Sequence, residues 1–300
     1  MLKSLKPGTL WFFVAAVLLF PRLTPAKLLS IGSVGDAPTE EIQKFLSLAN
    51  HVARQLHSDG FDQGKVVVGK TIPEMAAFLR EGKVDLYIDS PFPSLAVSRL
   101  CGSKLLLRRW KNGISDYNAV IFTRLDSGLD GLKKLKGKMI AFKEPFSSSG
   151  YFLPKMFLMQ QGFKLIPKKD ASDPVRPGEV GYVFSSDEEN TVAWVLREKV
   201  SAGAMDVQRY LEEAGKSPET FKIVHTTFSI PRHLVSHRAD LPSKLVARIK
   251  DILTNMHLSE DGKKALEAFQ KTNKFDELSN DAMAPLLKAV KFIDAELGIK

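Results

Sequence analysis

The 300-residue chain is 44% hydrophobic and 26% charged, an ordinary composition that excludes wholesale disorder and predicts one large or two medium domains. With 43 Lys and Arg against 34 Asp and Glu the formal net charge is +9, but no basic run interleaved with aromatics occurs, which argues against a nucleic-acid partner. A lone cysteine, Cys101, excludes an internal disulfide and reads as a small buried apolar side chain.

The chain starts with the pattern of a secretory signal peptide. Lys3 and Lys6 precede an apolar run from Leu10 to Phe20, and Thr24-Pro25-Ala26 offers small residues at a cleavage point, so residues 1–26 are expected to be removed on export. Eleven apolar residues fall short of the roughly 20 that span a bilayer, although retention as an uncleaved anchor is the alternative. Loss of Lys3, Lys6 and Arg22 lowers the net charge from +9 to +6.

From Leu28 onward, strands alternate with helices. Leu28–Gly32 reads as a strand, Ser33–Thr39 as a loop and Glu40–Leu56 as a helix burying Ile42, Phe45, Leu46, Ala49, Val52, Ala53 and Leu56. Val66–Val68 is a second strand. Thr71-Ile72-Pro73-Glu74 is a capping box opening a helix that closes at Gly82, and Val84–Ile88 is a third strand leading into the loop Asp89-Ser90-Pro91. Lys104–Arg109 and Tyr117–Thr123 are two more strands around a turn at Asn112-Gly113. The alternation restarts with strands at Met139–Phe142, Val180–Phe184, Val200–Met205 and Phe221–Val224 and a helix at Thr191–Glu198. After a strand near Leu234 the rest reads as helical, over Pro242–Met256, Ser259–Lys271 and Asp281–Leu297. Two α/β lobes result, with ligands expected at the carboxyl ends of the strands and in the cleft between lobes.

The most informative stretch is Met139–Gly162: a buried strand, a polar loop with Ser147, Ser148, Ser149 and Gly150, then an apolar helix carrying a core stripe of Phe152, Met156, Met159 and Phe163. Three hydroxyls and free N–H groups at the positive end of a helix favour an anion. The plainer account is that Ser149 caps the helix, and Pro154 then requires a later start or an irregular first turn.

Other chemistries lack their parts. No G-x-S-x-G elbow surrounds the serines, His233 and His237 share a strand face without a third ligand, and no cofactor motif appears, so neither a catalytic nor a metal site is expected. Trp110, Tyr117 and Trp194 are expected to pack.

Several segments, in order, resemble the periplasmic phosphate, phosphite and phosphonate binding proteins of ABC importers. Gly82–Asp85 with Ser90-Pro91 is similar to that family's G-x-v-D-x-x-x-x-x-P. Leu132, Leu135-Lys136-Gly137-Lys138, Pro145, Ser147–Gly150 and Pro154 are similar to its L-x-D-L-K-G-K and D-P-x-S-T-S-G-x-x-x-P, and Phe228–Pro231 with Asp240-Leu241-Pro242 to its C-terminal I-P and d-L-P positions. The likeness runs through most of Leu28–Met256. It implies a type II periplasmic binding protein: an α/β fold of two lobes, each a mostly parallel sheet flanked by helices, hinged on two crossing strands. Lobe one would take residues 27–118 and 228–300, and lobe two residues 119–227. The implied role is to capture a small oxyanion, by Ser147, Ser148, Ser149 and Gly150, and deliver it to a membrane permease. The protein would be a periplasmic monomer and not an enzyme.

This chain departs from the family where an aromatic residue and a histidine are usual. It has Asp89-Ser90-Pro91-Phe92 after the third strand, Ser186-Asp187-Glu188 before the helix near Thr191, and Ser201 at the usual Asp of the v-D-a-G segment, with Asp206 five residues on. Asp36, Asp89, Ser90, Asp187 and Asp206 are therefore further candidate ligand contacts. A carboxylate there accepts a hydrogen bond from a protonated oxyanion, whereas several would repel it or select a zwitterion or cation. Each Asp is also explained as a helix cap or solvated loop residue. The competing functions on the same frame are a periplasmic sensor and a hydrolase.

Overall fold

The computed structural model describes residues 27–213 and 216–299, so the expected signal peptide lies outside the described residues. The first sheet starts with β1 (Lys27–Val34), α1 (Pro38–Gln55), β2 (Phe61–Gly69), α2 (Ile72–Arg80), β3 (Leu86–Asp89), α3 (Pro91–Cys101) and β4 (Lys104–Lys111). Short β5 (Asp116–Tyr117) then leads into the second sheet. Its elements are β6 (Ala119–Arg124), β7 (Met139–Phe142), α4 (Leu153–Gln160), β8 (Lys164–Pro167), β9 (Glu179–Phe184), α5 (Glu188–Leu196), β10 (Ala202–Asp206), α6 (Val207–Glu213) and β11 (Phe221–Thr226). The chain returns through β12 (Ile230–Pro231) to β13 (His233–His237), α7 (Ser243–Asn255), α8 (Glu260–Ala268), β14 (Thr272–Glu277) and α9 (Asn280–Leu297).

Two six-stranded sheets result, ordered β14-β4-β13-β3-β1-β2 and β11-β6-β10-β7-β9-β8. β1 runs parallel to β2 and β3, and β7 parallel to β9 and β10, as helical crossovers demand. The antiparallel pairings come from β13, β14 and β6, which enter their sheets from the crossings or the tail. β5 and β12 pair with each other, Tyr117 opposite Ile230, and join the sheets as two crossing strands. This is the two-lobe α/β architecture expected.

The start of α2 shows how local sequence sets a boundary. Thr71 Oγ1 accepts from the Glu74 N–H at 3.2 Å, while Glu74 reaches one residue beyond the cap to accept from the Lys70 N–H at 2.7 Å. One apolar cluster runs unbroken from Met75, Tyr87 and Phe92 in the first lobe to Ile140, Phe142 and Phe152 in the second, with Leu286 and Ile293 of α9. A second lies on the other face of the first sheet, where Leu29, Ile31 and Ile88 meet Phe45, Leu48 and Val52 of α1.

Some expectations are corrected. α1 centres its buried stripe on Leu48 and leaves Ile42 and Leu46 exposed. Met159 is 46% exposed, because α4 turns its inner face toward Lys155 and Leu158, with Lys155 held inward by Glu296. Cys101 is only partly buried, at the end of α3. Two helices, α3 and α6, and two strands, β8 and β14, stand where no element was expected.

Candidate functional site

The cleft lies where the topology predicts it. Asp36 follows β1, Asp89 ends β3, Lys111 ends β4, Lys143 follows β7, Ser186 follows β9 and Asp206 ends β10, and all of these carboxyl ends line one cleft of about 780 Å3. Every expected site residue except Gly150 is in its wall.

The serine loop is wound into a π turn, Ser148–Phe152, before α4 begins. Pro154 falls in the first turn of the α-helix proper, where its missing N–H costs nothing. Ser147, rather than Ser149, is the cap: its Oγ accepts from the Gly150 N–H at 3.0 Å, and its carbonyl accepts from the Phe152 N–H at 3.0 Å. Ser148 is buried and bridges the lobes. Its Oγ accepts from the Phe92 N–H at 2.9 Å, in the first turn of α3, and donates to Ser90 Oγ at 2.9 Å. Ser149 lines the cleft beside the Tyr117 hydroxyl. Gly150 stands behind the loop, its carbonyl accepting from the Lys143 N–H at 3.0 Å.

The four aspartates have different surroundings. Asp36 is exposed at the mouth. Asp187 caps α5, accepting from the Asn190 N–H at 2.6 Å and its side-chain amide at 2.9 Å. Asp89 accepts from the Tyr87 hydroxyl at 2.7 Å and the Ser90 N–H at 2.6 Å, yet burial outweighs these bonds and raises its carboxyl to about 7. Asp206 is buried, accepts from the Gln208 N–H at 2.7 Å, and forms an ion pair with Arg232 Nη1 at 2.6 Å.

The basic side of the cleft was not anticipated. Arg109 and Lys111 lie two apart on β4, and Arg109 is the cross-strand partner of His233 on β13. Arg109 is 1% exposed, and its guanidinium lies 3.9 Å from the Phe269 ring centroid and donates to Thr272 Oγ1 at 2.8 Å and the Phe269 carbonyl at 2.9 Å. Burial, and then the Arg232 charge, lower Arg109 to about 9. Burial with Arg109 and Arg232 lowers Lys111 to about 8. His233 is held well below the ordinary histidine value by burial and by Arg109, Lys111, Arg232 and Lys143, so it is neutral. On the opposite wall Lys143 pairs with Glu188 at 3.1 Å, and Glu144 is raised to about 7, mainly by burial. Tyr117 packs in the main apolar cluster as expected, and it also edges the cleft, with the Arg232 guanidinium 4.8 Å over its ring.

Among the described residues no group of three or more His, Cys, Asp and Glu side chains can hold a metal ion, and no helix is long and apolar enough to cross a membrane. What the cleft offers is hydroxyls, helix N-termini and cations, interrupted by carboxylates.

A family model described as the periplasmic substrate-binding protein of the phosphonate ABC transporter matches residues 35–283. The chain belongs to this family. Like other members of the phosphonate-binding family it is a solute-binding component that works with a transporter permease. No curated protein matches the chain significantly. Among solved structures, XAC2383 from Xanthomonas citri, bound to ATP, is 22% identical with a TM-score of 0.84, covering 90% of this chain and 98% of its own. PhnD1 from Prochlorococcus marinus, in complex with methylphosphonate, is 17% identical with a TM-score of 0.66, covering 91% and 99%. A binding-protein component of a phosphonate ABC transporter from Pseudomonas aeruginosa is 16% identical with a TM-score of 0.65, covering 90% and 88%. At these identities the likeness establishes the shared fold of the phosphonate-binding family.

Proposed function

We propose that this protein is exported by the signal peptide of residues 1–26 and acts in the periplasm as a monomeric receptor. It captures a phosphorus oxyanion and delivers it, chemically unchanged, to a membrane permease. The lobes would be residues 27–118 with 228–300 and residues 119–227, closing about β5 and β12. The observation that carries this reading is the meeting of two helix starts in the cleft. The π turn leading into α4 faces the first turn of α3, bridged by Ser148, with the Ser90 and Ser149 hydroxyls alongside. The helix ends and small hydroxyls favour an anion without a full countercharge; α3 contributes its dipole alone, since Pro91 and Pro93 carry no N–H and that of Phe92 is taken by Ser148. Two structural relatives are bound to ATP and to methylphosphonate, both of which carry a phosphorus oxyanion.

The test is thermal unfolding of the purified protein with phosphate, phosphite, methylphosphonate, sulfate and an amino-acid panel. A ligand at 100 times its Kd adds about 2.7 kcal/mol of stability. Stabilisation by phosphorus oxyanions alone is expected, and Ser149→Ala should weaken it by about 1.5–3 kcal/mol, the worth of a hydrogen bond to a charged group. Stabilisation by a zwitterion or cation instead would mean that the aspartates, and not the serine loop, select the ligand.

A further inference from the structure

The serine loop accounts for one anionic group, and the cleft has charge left over. Arg109 and Lys111 form no ion pair with a carboxylate among the described residues, while Arg232 has only Asp206. Arg109 spends its donors on carbonyl, amide and hydroxyl oxygens, so its hydrogen bonds are satisfied but its charge is not neutralised. Two buried polar atoms on this floor, Arg232 Nε and His233 Nδ1, have no partner among the described residues, and Arg232 itself is 6% exposed. A buried cation without a counter-charge and a buried donor without an acceptor are both costly, and an anion bound between them removes both costs. The floor is set off from the serine loop by the width of one ring: Arg232 covers the face of Tyr117 while Ser149 stands at its hydroxyl. A cleft of about 780 Å3 is in the range of roughly 300–1,000 Å3 that takes drug-sized ligands, far more than a bare oxyanion fills.

We propose that the cleft binds a compound with two acidic groups. Its phosphonate or phosphate head lies at the serine loop, and a second oxyanion, carboxylate or phosphoryl, lies on the floor of Arg109, Lys111, Arg232 and His233. This assignment rests on the oxyanion reading of the serine loop and adds the floor to it. Burial is the main cause of the lowered proton affinities of Arg109 and Lys111, and the neighbouring cations add to it. Arg109 supplies field, and Lys111, Arg232 Nε and His233 supply contact.

Isothermal titration of the purified protein with methylphosphonate, phosphonoacetate and pyrophosphate separates the two claims. The two-anion probes should bind at least tenfold more tightly than methylphosphonate. Lys111→Gln should cut their affinity at least tenfold and that of methylphosphonate by clearly less, with Lys111→Arg restoring the preference. An equal Kd for all three probes, or an equal loss for all three in Lys111→Gln, overturns the second subsite and leaves the serine-loop reading standing. Binding of none of them overturns the second subsite, and if phosphate and phosphite also fail to stabilise the protein the oxyanion reading falls with it.

Discussion

At the residue scale the cleft is a contest between burial and hydrogen bonding, and Asp89 shows which wins. Its carboxyl is raised from 3.8 to about 7 by burial, against donors from Tyr87 and Ser90 that pull it down only in part. The folded protein therefore holds a proton that the unfolded chain has released. The stabilisation from this proton is complete below about 3.8 and lost as pH rises through about 7. His233, with its lowered value, acts in the opposite sense below 6.5, so comparison with a variant is needed to isolate Asp89. We expect the melting temperature of Asp89→Asn, relative to wild type, to rise from pH 5 to pH 8; a constant difference would show that Asp89 does not hold the proton. The aspartates were legible in the sequence because they sit at strand ends or in the loops that follow. Arg109 and Lys111 were not, since a charged residue in a strand faces either side until its partner strand is known, and Arg232 was not because it lies in the bend between β12 and β13. Only the pairing of β4 with distant β13 puts Arg109 beside His233.

At the element scale the serine loop depends on a glycine. A Cβ on Gly150 would lie 2.6 Å from Lys143 Cβ and 2.9 Å from Ser147 Oγ, with the Lys143 amide next behind. Gly150→Ala must displace Ser147 or Lys143, and is expected to destabilise the protein by about 1–3 kcal/mol, the usual cost of overpacking. Methylphosphonate affinity should fall with it, because the turn that carries Ser149 moves. Urea denaturation and calorimetry check both, and an unchanged affinity would mean that the loop tolerates the shift without carrying ligand. The sequence revealed Met139–Phe142 as an unbroken apolar run, buried throughout, and the long amphipathic helices because each buries one regular face. It missed α3, whose Pro91-Phe92-Pro93 start looks like a loop although both prolines fall in the first turn, where no intrahelical N–H is required. It missed β14 because an edge strand that fully buries only Thr272 and Phe275 has no readable alternation.

At the scale of the whole molecule, α9 links the two lobes. It packs on α3 and on the crossing strand β12. Near its end Asp294 takes two bonds from Arg99 of α3, at 2.7 and 3.0 Å. Two residues later Glu296 accepts from Lys155 Nζ at 2.6 Å and from the Tyr151 hydroxyl at 3.0 Å, both in the second lobe. Phe292 lies edge-on to Phe92 and Phe152, which stack on each other from opposite lobes directly behind Ser90 and the serine loop. Lobes fastened both at the serine loop and through α9 can separate only if one set of contacts breaks, and the bonds of Glu296 are the polar contacts of α9 with the second lobe. Glu296→Ala leaves the Lys155 ammonium buried without its carboxylate and should cost about 1–3 kcal/mol. The double variant Lys155→Met with Glu296→Leu should recover much of that loss, since an apolar pair replaces a buried ionic one at little cost. If α9 restrains opening, Glu296→Ala should also enlarge the ligand-free protein in small-angle X-ray scattering, while saturating ligand returns it to the wild-type dimensions. A radius of gyration equal to wild type in both states would confine the role of Glu296 to stability and leave the hinge free of the tail.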